Sequence, residues 1–426
     1  MLTEQLLHFI WQSGYYNKAE LTTVDGVPVE ILYPGTLNRN GGPDFLQARI
    51  RMGETVLAGA VEVHLYSSGW KQHGHSNDAA YKNVVLHVVW QHDGFDLPHV
   101  PVLELQNRVA STLLHHYRHL MQNEAFIPCA PLVHSVPLLV WDSWKERLLT
   151  ERLMQKTAHI NHLLSATNND WEQVCWQAVA RYMGGTVNKE SFEELAQLLP
   201  AKLLWKHRLQ PLQLEALLLG TAGLLEAEHA TTAYEKELQH EFAFLKNKYN
   251  LRTIHTAVKF LRMRPSGFPT VRLAQLTQLF VAQKQLFSAA VEATTVGQVQ
   301  ALFKLTASSF WDTHYTFSKT SPAQPKILGS DAADRIIINA IVPLLFAYGQ
   351  WTGSEGYKEK AVQWLHALAP EQNRITSGFQ KLGVAAHNAF ETQALLQLKP
   401  AYCDVRRCLE CAVGYRLLKN AQAKPL

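Results

Sequence analysis

Two carboxylates and a histidine lie in the segment 41–64, GGPDFLQARIRMGETVLAGAVEVH, with a spacing that suits cation binding. Asp44 follows a Gly-Gly-Pro sequence, and Glu62 and His64 interrupt an otherwise apolar run. Because side chains alternate along a strand, Glu62 and His64 point to one face and their neighbours point to the other. Gly53 predicts a tight hairpin in the middle of the segment. A three-residue loop pairs Asp44 directly with Glu62, and a two-residue loop shifts the register by one residue.

The two carboxylates are therefore expected to face each other on adjacent strands, with Cβ atoms roughly 5 Å apart if they pair directly. Facing carboxylates repel unless a shared proton or a divalent cation lies between them. Oxygen ligands favour Mg²⁺ or Mn²⁺, so we expect one of these ions at Asp44 and Glu62. The alternative is a turn followed by a strand with a polar face.

Further histidines follow in the segment 70–90, WKQHGHSNDAAYKNVVLHVVW. His73 and His75 lie in a loop where both rings could turn towards the two carboxylates, and we predict both as metal ligands. Such a set of imidazoles and carboxylates could instead bind zinc, iron or manganese. Asp78 is expected to cap the short helix that follows it. His87 either faces the same cleft or is a hydrogen-bonded core histidine.

Three of the five cysteines crowd into the C-terminal sequence YCDVRRCLECAVGYRLLK, as Cys403, Cys408 and Cys411. The last two share one helix face, close enough for a common metal. A four-coordinate site requires another ligand, for which Cys129 or a histidine such as His387 is a candidate. We expect a metal such as zinc here. The alternative is that small buried thiols pack a C-terminal helix.

Strands in the N-terminal region and helices after it must position these residues. Alternating segments rich in Val, Leu and Ile predict strands, and a helical pattern precedes them. From Val140 leucines recur at spacings of three and four, which predicts helices to the C-terminus. We therefore predict an α+β or α/β domain over 1–126 with a mostly mixed sheet, a linker over 127–139 and an all-α region of one or two subdomains over 140–426. The helix is expected at 2–13 and the strands at 27–33, 46–52, 55–66, 83–90 and 101–105.

The charge is unevenly placed along the chain. Residues 1–110 contain 7 Lys+Arg and 11 Asp+Glu, a net charge of −4, which leaves 33 and 25, a net charge of +8, for the remainder. An acidic N-terminal part suits a cation site, and a basic remainder suits a polyanion. Lys71 and Lys82 near the histidines, and Arg262, Arg264 and Arg272 around two prolines, are candidate substrate-binding residues. The alternative for these arginines is a rigid corner in which they pair with helix C-termini.

Composition indicates a folded protein of the cytoplasm. Hydrophobic residues make up 47% of the 426 positions and charged residues 18%, which excludes a disordered chain. Five cysteines are too few for a disulfide framework. The first ten residues lack the basic region and cleavage site of a signal peptide, and the longest apolar stretch, IIINAIVPLLFAYG, is broken by Asn339 and Pro343. We expect no membrane partner, and the sequence gives no indication of the oligomeric state.

The sequence GPDF, with seventeen residues between its Asp44 and the Glu62 of a following EVH, resembles the signature of the PD-(D/E)xK phosphodiesterase superfamily. This resemblance implies a restriction-endonuclease-like α-β-β-β-α-β core that hydrolyses phosphodiesters. Asp44 and Glu62 would hold the divalent metal, and the helix with Glu4 would precede the strands. His64 occupies the position of the lysine that activates or orients water, so Lys71 or Lys82 would have to supply a displaced ammonium group.

Two further resemblances extend over other parts of the chain. Some PD-(D/E)xK nucleases hold an iron–sulfur cluster with one cysteine before or within the core and three near the C-terminus, which is similar to Cys129 with Cys403, Cys408 and Cys411, although the spacing of the last three differs. Nearly the whole chain resembles an uncharacterised bacterial family of unknown function, and this resemblance implies no activity. The residues that carry it are PGTLNRNGGPDF, VEVH, WKQHGHSNDAAYKNVVLHVVW, RPSGFPTVRLAQL and CDVRRCLECAVG.

Three hypotheses for function follow. The first is a divalent-metal-dependent phosphodiesterase acting on DNA or RNA, with Asp44 and Glu62 as metal ligands and His64 as a base or phosphate-orienting group. The second is a nucleic-acid-binding or scaffold protein that keeps the nuclease fold without activity. The third is a metalloenzyme with histidine and carboxylate ligands and a different substrate.

Overall fold

A mixed sheet forms the centre of the N-terminal region in the computed structural model, which describes residues 2–226, 228–283 and 285–420. The strands are β1 (Val29–Tyr33), β2 (Thr36–Leu37), β3 (Phe45–Met52), β4 (Thr55–Tyr66), β5 (Val84–Gln91) and β6 (Val102–Glu104). The strand order is β1-β3-β4-β5-β6, and β2 pairs with the first two residues of β3. The pairs β1/β3 and β3/β4 are antiparallel, whereas β4/β5 and β5/β6 are parallel.

The chain divides into two compact units. The first runs to Trp144 and resumes at Leu398, so it contains the sheet and the C-terminal cysteines. The second is Lys145–Gln397. The helices of the first unit are α1 (Glu4–Ser13), α2 (Gly69–Gln72), α3 (Ser111–Gln122) and α18 (Ala412–Asn420).

Helix α1 begins and ends at residues suited to those positions. The Thr3 side chain accepts a hydrogen bond from the backbone N–H of Leu6, and Gly14 ends the helix with a φ of 65°. The apolar face, with Leu6, Ile10 and Trp11, is buried, and the helix packs against β4. The other edge of the helix places Glu4 and His8, one turn apart, near the carboxylates of the sheet.

The hairpin between β3 and β4 has a two-residue loop, Gly53-Glu54, because Met52 pairs with Thr55. This loop alone would leave Asp44 one position out of register with Glu62. A bulge between Phe45 and Ala48 inserts one extra residue into β3, and Phe45 then pairs with Val61. The next positions outward are Asp44 and Glu62, so the bulge restores the pairing that a three-residue loop would have given.

The second unit is helical, with a two-stranded ribbon inside the region predicted as all-α: β7 (His314–Thr316) and β8 (Lys319–Thr320). The α+β organisation predicted from the sequence is confirmed at the level of a mixed N-terminal sheet followed by helices. The helices after α3 are α4 (Leu138–Ala166), which begins in the first unit, α5 (Trp171–Met183), α6 (Lys189–Leu198), α7 (Ala201–Lys206), α8 (Pro211–Thr221), α9 (Ala233–Tyr249), α10 (Pro269–Ala282), α11 (Leu286–Glu292), α12 (Val296–Leu302), α13 (Ser330–Ile336), α14 (Val342–Thr352), α15 (Glu355–Ala367), α16 (Arg374–Lys381) and α17 (Ala389–Leu398).

The helical stretch Ser330–Thr352 is long and apolar enough to cross a membrane. However, 72% of its most apolar window is buried inside the protein, as in the core helix of a folded domain. A π-helical turn, Ile337–Ile341, separates α13 from α14, and Pro343 is the second residue after it. A proline lacks the N–H that a regular helix requires, which accounts for an irregular turn at this point.

The bulge predicts the effect of substitutions at Gln47, which has a left-handed φ of 60°. Gln47→Val should lower the free energy of unfolding by about 1–3 kcal/mol, because a β-branched residue is strained at positive φ. Gln47→Gly should leave stability unchanged or raise it slightly. Chemical denaturation would measure both effects. Arg49→Val, at an exposed paired position of the same strand, is the control, and an equal loss there would contradict this account of the bulge.

Candidate metal centre

The sheet and one connection bring five of the predicted site residues together. Asp44 directly precedes β3, and Glu62 and His64 lie on one face of β4. His73 and His75 lie in the connection from β4 to β5, which folds back over that face. Both faces of the sheet are covered here, so Glu62 is only 4% exposed and His64 only 2%.

Fixed hydrogen bonds hold the connection that carries His73 and His75. The Asp93 carboxylate, just after β5, accepts hydrogen bonds from the Ser67 hydroxyl and the Ser68 backbone N–H. The Trp70 indole donates to the Ser76 hydroxyl at 3.1 Å. The His75 ring then lies against Tyr81, with ring centroids 3.8 Å apart. The two histidines are therefore placed by packing and hydrogen bonds on both sides of the loop.

Three imidazoles and one carboxylate form the candidate metal centre. The ligand atoms of His64, His73 and His75 all lie within 4.8 Å of one another. The Oε1 atom of Glu62 lies 3.1 Å from Nε2 of His75 and 3.6 Å from Nε2 of His64. The Nε2 atom of His64 lies 3.1 Å from Nδ1 of His73. Neighbouring ligands that are each about 2.1 Å from one ion lie about 3.0–3.4 Å apart, so the Glu62–His75 and His64–His73 distances suit ligands of one cation, whereas the 3.6 Å between Glu62 and His64 exceeds that range. The set of ligand atoms that all lie within 4.8 Å of one another contains the three imidazoles and not Glu62.

The contact between Glu62 and His75 also suits a cation better than a hydrogen bond. Although their atoms are 3.1 Å apart, the buried Nε2 of His75 has no aligned hydrogen-bond partner among the described residues. A buried nitrogen without a partner is costly, and a lone pair directed at a metal removes that cost. The nitrogen and oxygen atoms available as ligands therefore fit a divalent ion.

Asp44 supports the centre from the side. Its backbone N–H donates to Oε2 of Glu62 at 3.0 Å, and its Oδ2 accepts from the backbone N–H of Val63 at 3.0 Å. The Nε2 atom of His8, on α1, lies 3.2 Å from the same Oδ2. Asp44 thus orients Glu62 and adds negative charge to the site. Sequence reasoning did not identify His8, and its i, i+4 spacing from Glu4 on one helix was the available signal.

His87 fixes the ring of His64. It is fully buried on β5, and its Nε2 lies 2.9 Å from Nδ1 of His64. If Nε2 of His64 binds a metal, Nδ1 carries the proton and donates to Nε2 of His87. Metal-bound imidazoles usually have such a partner for the second nitrogen. Both alternatives for His87 therefore apply, because it faces the cleft and is a hydrogen-bonded core residue.

The pKa values of the carboxylate and of two of the imidazoles in the centre shift in opposite directions. Burial, with the nearby Asp44 carboxylate as the next cause, raises the pKa of Glu62 to about 8. Burial, followed by the neighbouring His87, lowers the pKa of His64 to about 3, and burial also lowers the pKa of His75. The imidazoles of His64 and His75 are thus in the neutral form that binds metals, and the carboxylate lacks a positive partner.

The other predicted substrate-binding residues lie in different places. Lys71 and Lys82 are exposed on the connection that carries the histidines. Arg262 and Arg264 are exposed in the second unit. Arg272, in α10, donates to Gln275, and burial lowers its pKa to about 10. The predicted capping role of Asp78 is confirmed, since its side chain accepts from the backbone N–H of Ala80.

The four predicted cysteine ligands all belong to the first unit. Cys129 precedes a 3₁₀ helix, Ala130–Ser135, which packs against α18, and Cys411 directly precedes α18. Burial raises the pKa of Cys403, and the neighbouring thiols Cys411, Cys129 and Cys408 raise it further, in that order. His387, the alternative fourth ligand, lies in the second unit.

Cys411 is surrounded by hydrogen-bond donors that suit a thiolate. Its burial raises the pKa, whereas the backbone N–H groups of Gly414 and Val413 and the Trp144 side chain lower it. A side chain at Gly414 would meet the Cys408 carbonyl oxygen at 2.2 Å, so the glycine permits this close approach. Such N–H donors stabilise the negative charge of a metal-bound sulfur.

Comparison with protein-family models gives one match, to a family described as "Protein of unknown function (DUF2851)", over residues 4–374. The match confirms the resemblance to an uncharacterised family. Neither a curated protein nor a solved structure matches the chain.

Gly69→Ala should disturb the centre without removing a ligand. A Cβ at this position would lie 2.9 Å from Cγ of His64, so the ring must shift. We expect the free energy of unfolding to fall by about 1–3 kcal/mol, as in other overpacked cores. Gly41→Ala is the control, because nothing lies within 4 Å of its Cβ position. Equal denaturation midpoints for both variants and the wild type would contradict the packing described.

Proposed function

We propose that this chain, which belongs to the DUF2851 family, is a metal-dependent phosphodiesterase that acts on nucleic acid. Glu62, His64, His73 and His75 hold the divalent ion, and Asp44 orients Glu62. The observation that carries the proposal is the buried set of ligand atoms around Glu62, with distances of 3.1 and 3.6 Å to two imidazoles.

The order of elements supports phosphodiester chemistry. The chain runs from α1 through the antiparallel strands β1, β3 and β4 to the short helices of the connection and the parallel strand β5. This order is similar to the α-β-β-β-α-β order expected of the PD-(D/E)xK superfamily. Asp44 directly precedes the second of these main strands and Glu62 lies on the third, at the positions where the resemblance would place the metal ligands. The similar order of elements supports a phosphodiester as the substrate. The set of histidine and carboxylate ligands supports a bound divalent metal ion.

The ligand types bear on which metal is bound. Imidazole suits zinc, iron and manganese, whereas Mg²⁺ prefers oxygen ligands and keeps several waters. Three imidazoles beside one carboxylate therefore favour Mn²⁺, Zn²⁺ or Fe²⁺ over Mg²⁺. Mn²⁺ suits both the oxygen ligands expected at Asp44 and Glu62 and this set of three imidazoles.

Each residue then has a distinct role. A bound divalent ion would polarise a phosphate oxygen and lower the pKa of a water molecule. His64 and His75 supply neutral nitrogen ligands, and Glu62 supplies negative charge held in place by the Asp44 backbone N–H. His73 is the exposed ligand of the set, so it lies at the mouth of the site where substrate enters. Lys71 and Lys82, exposed on the same connection, would pair with phosphates that flank the reacting one.

We also propose that Cys129, Cys403, Cys408 and Cys411 hold an iron–sulfur cluster. The thiols of Cys411, Cys129 and Cys408 are near enough to Cys403 to raise its pKa, so the four cysteines come together in one unit. The N–H groups around Cys411 suit the negative charge of a cluster held by thiolates.

Cleavage of labelled single- and double-stranded DNA and RNA should be detectable with Mn²⁺ and abolished by chelation. Glu62→Gln and His75→Ala should each lower cleavage by at least about 100-fold and weaken metal binding at least about tenfold, because each removes a ligand. Gel assays and mass-spectrometric metal analysis of the same protein would measure both effects.

Matched controls keep these results specific. Glu30→Gln and His99→Ala change exposed residues of the same unit and should leave cleavage and metal content unchanged. Metal bound at the centre without cleavage of any substrate would contradict the phosphodiesterase and favour a binding protein or a metalloenzyme with another substrate. Unchanged metal content in Glu62→Gln and His75→Ala would contradict the metal centre itself.

Protein prepared without oxygen should contain iron and acid-labile sulfide and should absorb in the visible range. Cys403→Ser and Cys411→Ser should each lose most of the iron, whereas Cys175→Ser, which changes the fifth cysteine in α5, should retain it. Zinc in place of iron and sulfide would contradict the cluster. Absence of both from anaerobic protein would contradict any metal at these cysteines.

A further inference from the structure

The second unit contains a cavity of about 230 Å³ whose lining is basic. Helix α4 contributes Arg152, Lys156 and His159 from one face, and α5 contributes Arg181. None of the lining residues carries a carboxylate. Arg152, Lys156 and Arg181 thus bring three cationic side chains to one cavity, where charges of one sign repel each other in a poorly solvated space.

Neutral groups, not carboxylates, hold the two innermost cations. The Lys156 ammonium donates to Oδ1 of Asn339 at 2.7 Å and to Oε1 of Gln393 at 3.1 Å. The Arg152 guanidinium donates to the same Gln393 oxygen at 2.6 Å. Amide oxygens satisfy hydrogen bonds but carry no charge, so this pair keeps an excess of positive charge.

The nearby carboxylates, Glu193 and Glu371, are not among the residues that line the cavity. Glu193 pairs with Arg181 and lies 2.8 Å from Nε2 of His159. Glu371 accepts hydrogen bonds from the side-chain amides of Gln393 and Asn339. Burial, and next the adjacent Arg152, hold the pKa of Lys156 well below that of an ordinary lysine, and Glu371 only partly opposes this. A bound anion would supply the missing negative charge.

An irregular turn places a polar group at the cavity. Asn339 lies in the π-helical turn Ile337–Ile341, and its amide nitrogen donates to the carbonyl of Arg335 at 2.9 Å. Turns of this kind occur often at functional sites, because they redirect a side chain out of the regular helix face. Here the turn brings the Asn339 oxygen to Lys156 and leaves the ammonium at the cavity wall.

The rest of the lining is apolar, with Ile160, Leu163, Ala178 and Pro343 beside the phenol of Tyr182. The volume is below the usual range for drug-sized ligands, so the cavity suits a ligand smaller than a nucleotide. The cavity therefore suits a small molecule with one charged end and one apolar body.

We propose that this cavity binds a small organic oxyanion, either a phosphomonoester or a carboxylate, with an apolar body of about the size of a phenyl ring. The oxyanion contacts Arg152, Lys156 and Arg181, and the body lies against Ile160, Leu163 and Pro343. The site belongs wholly to the second unit, so it is independent of the metal centre and of the proposed phosphodiesterase.

Titration calorimetry of the full chain with phenyl phosphate, benzoate and benzyl alcohol tests the proposal. At least one of the two anions should bind with one-to-one stoichiometry, and the neutral alcohol, which has the same ring, should not. Tighter binding of phenyl phosphate assigns a phosphomonoester, and tighter binding of benzoate assigns a carboxylate. Failure of both anions to bind the wild-type protein, or equal binding of the alcohol, overturns the proposal without any variant.

Variants then locate the binding. Lys156→Met and Arg152→Gln should each weaken the anion at least about tenfold, because each removes a charge-assisted hydrogen bond. Lys304→Met, which removes an exposed lysine of the same unit, should leave the affinity unchanged. Circular dichroism confirms that each variant is folded. Anion binding that survives both cavity substitutions unchanged overturns the assignment to this cavity.

Discussion

The burial of the Glu62 carboxylate beside the Asp44 carboxylate is the constraint on which the rest of the first unit depends. A carboxylate that is 4% exposed and close to another requires compensation, and burial raises its pKa to about 8 when none is present. The adjacent imidazoles of His64 and His75 are neutral and cannot supply a positive charge, because burial lowers their pKa values. The arrangement is therefore consistent with a cation that satisfies the carboxylate and the imidazoles together.

Several elements of the first unit hold Glu62 and the residues around it in place. The bulge at Gln47 restores the register that brings Asp44 opposite Glu62, and Gly69 lets the connection approach the His64 ring. His87, on β5, contacts the ligand His64, and His8, on α1, contacts Asp44. Elements far apart in the chain thus meet at one carboxylate, which explains why the sheet is covered on both faces at this point.

Much of this was predictable from the sequence, because it rests on local patterns. The strand from Thr55 to Tyr66 has the predicted bounds, and alternation alone placed Glu62 and His64 on one face. The bulge was not predictable, since glutamine gives no signal for a positive φ. His8 was missed because its role depends on how α1 packs. The basic cavity of the second unit was also missed, since Arg152, Asn339 and Gln393 are distant in sequence and meet only in the folded chain.

The most direct test of the metal centre is a crystal structure of manganese-loaded protein, with anomalous diffraction recorded at the manganese edge. The account predicts one strong peak about 2.0–2.3 Å from the Glu62 carboxylate and from nitrogens of His64, His73 and His75. A peak held elsewhere, or these four side chains hydrogen-bonded to one another around no ion in crystals that contain manganese, would contradict it.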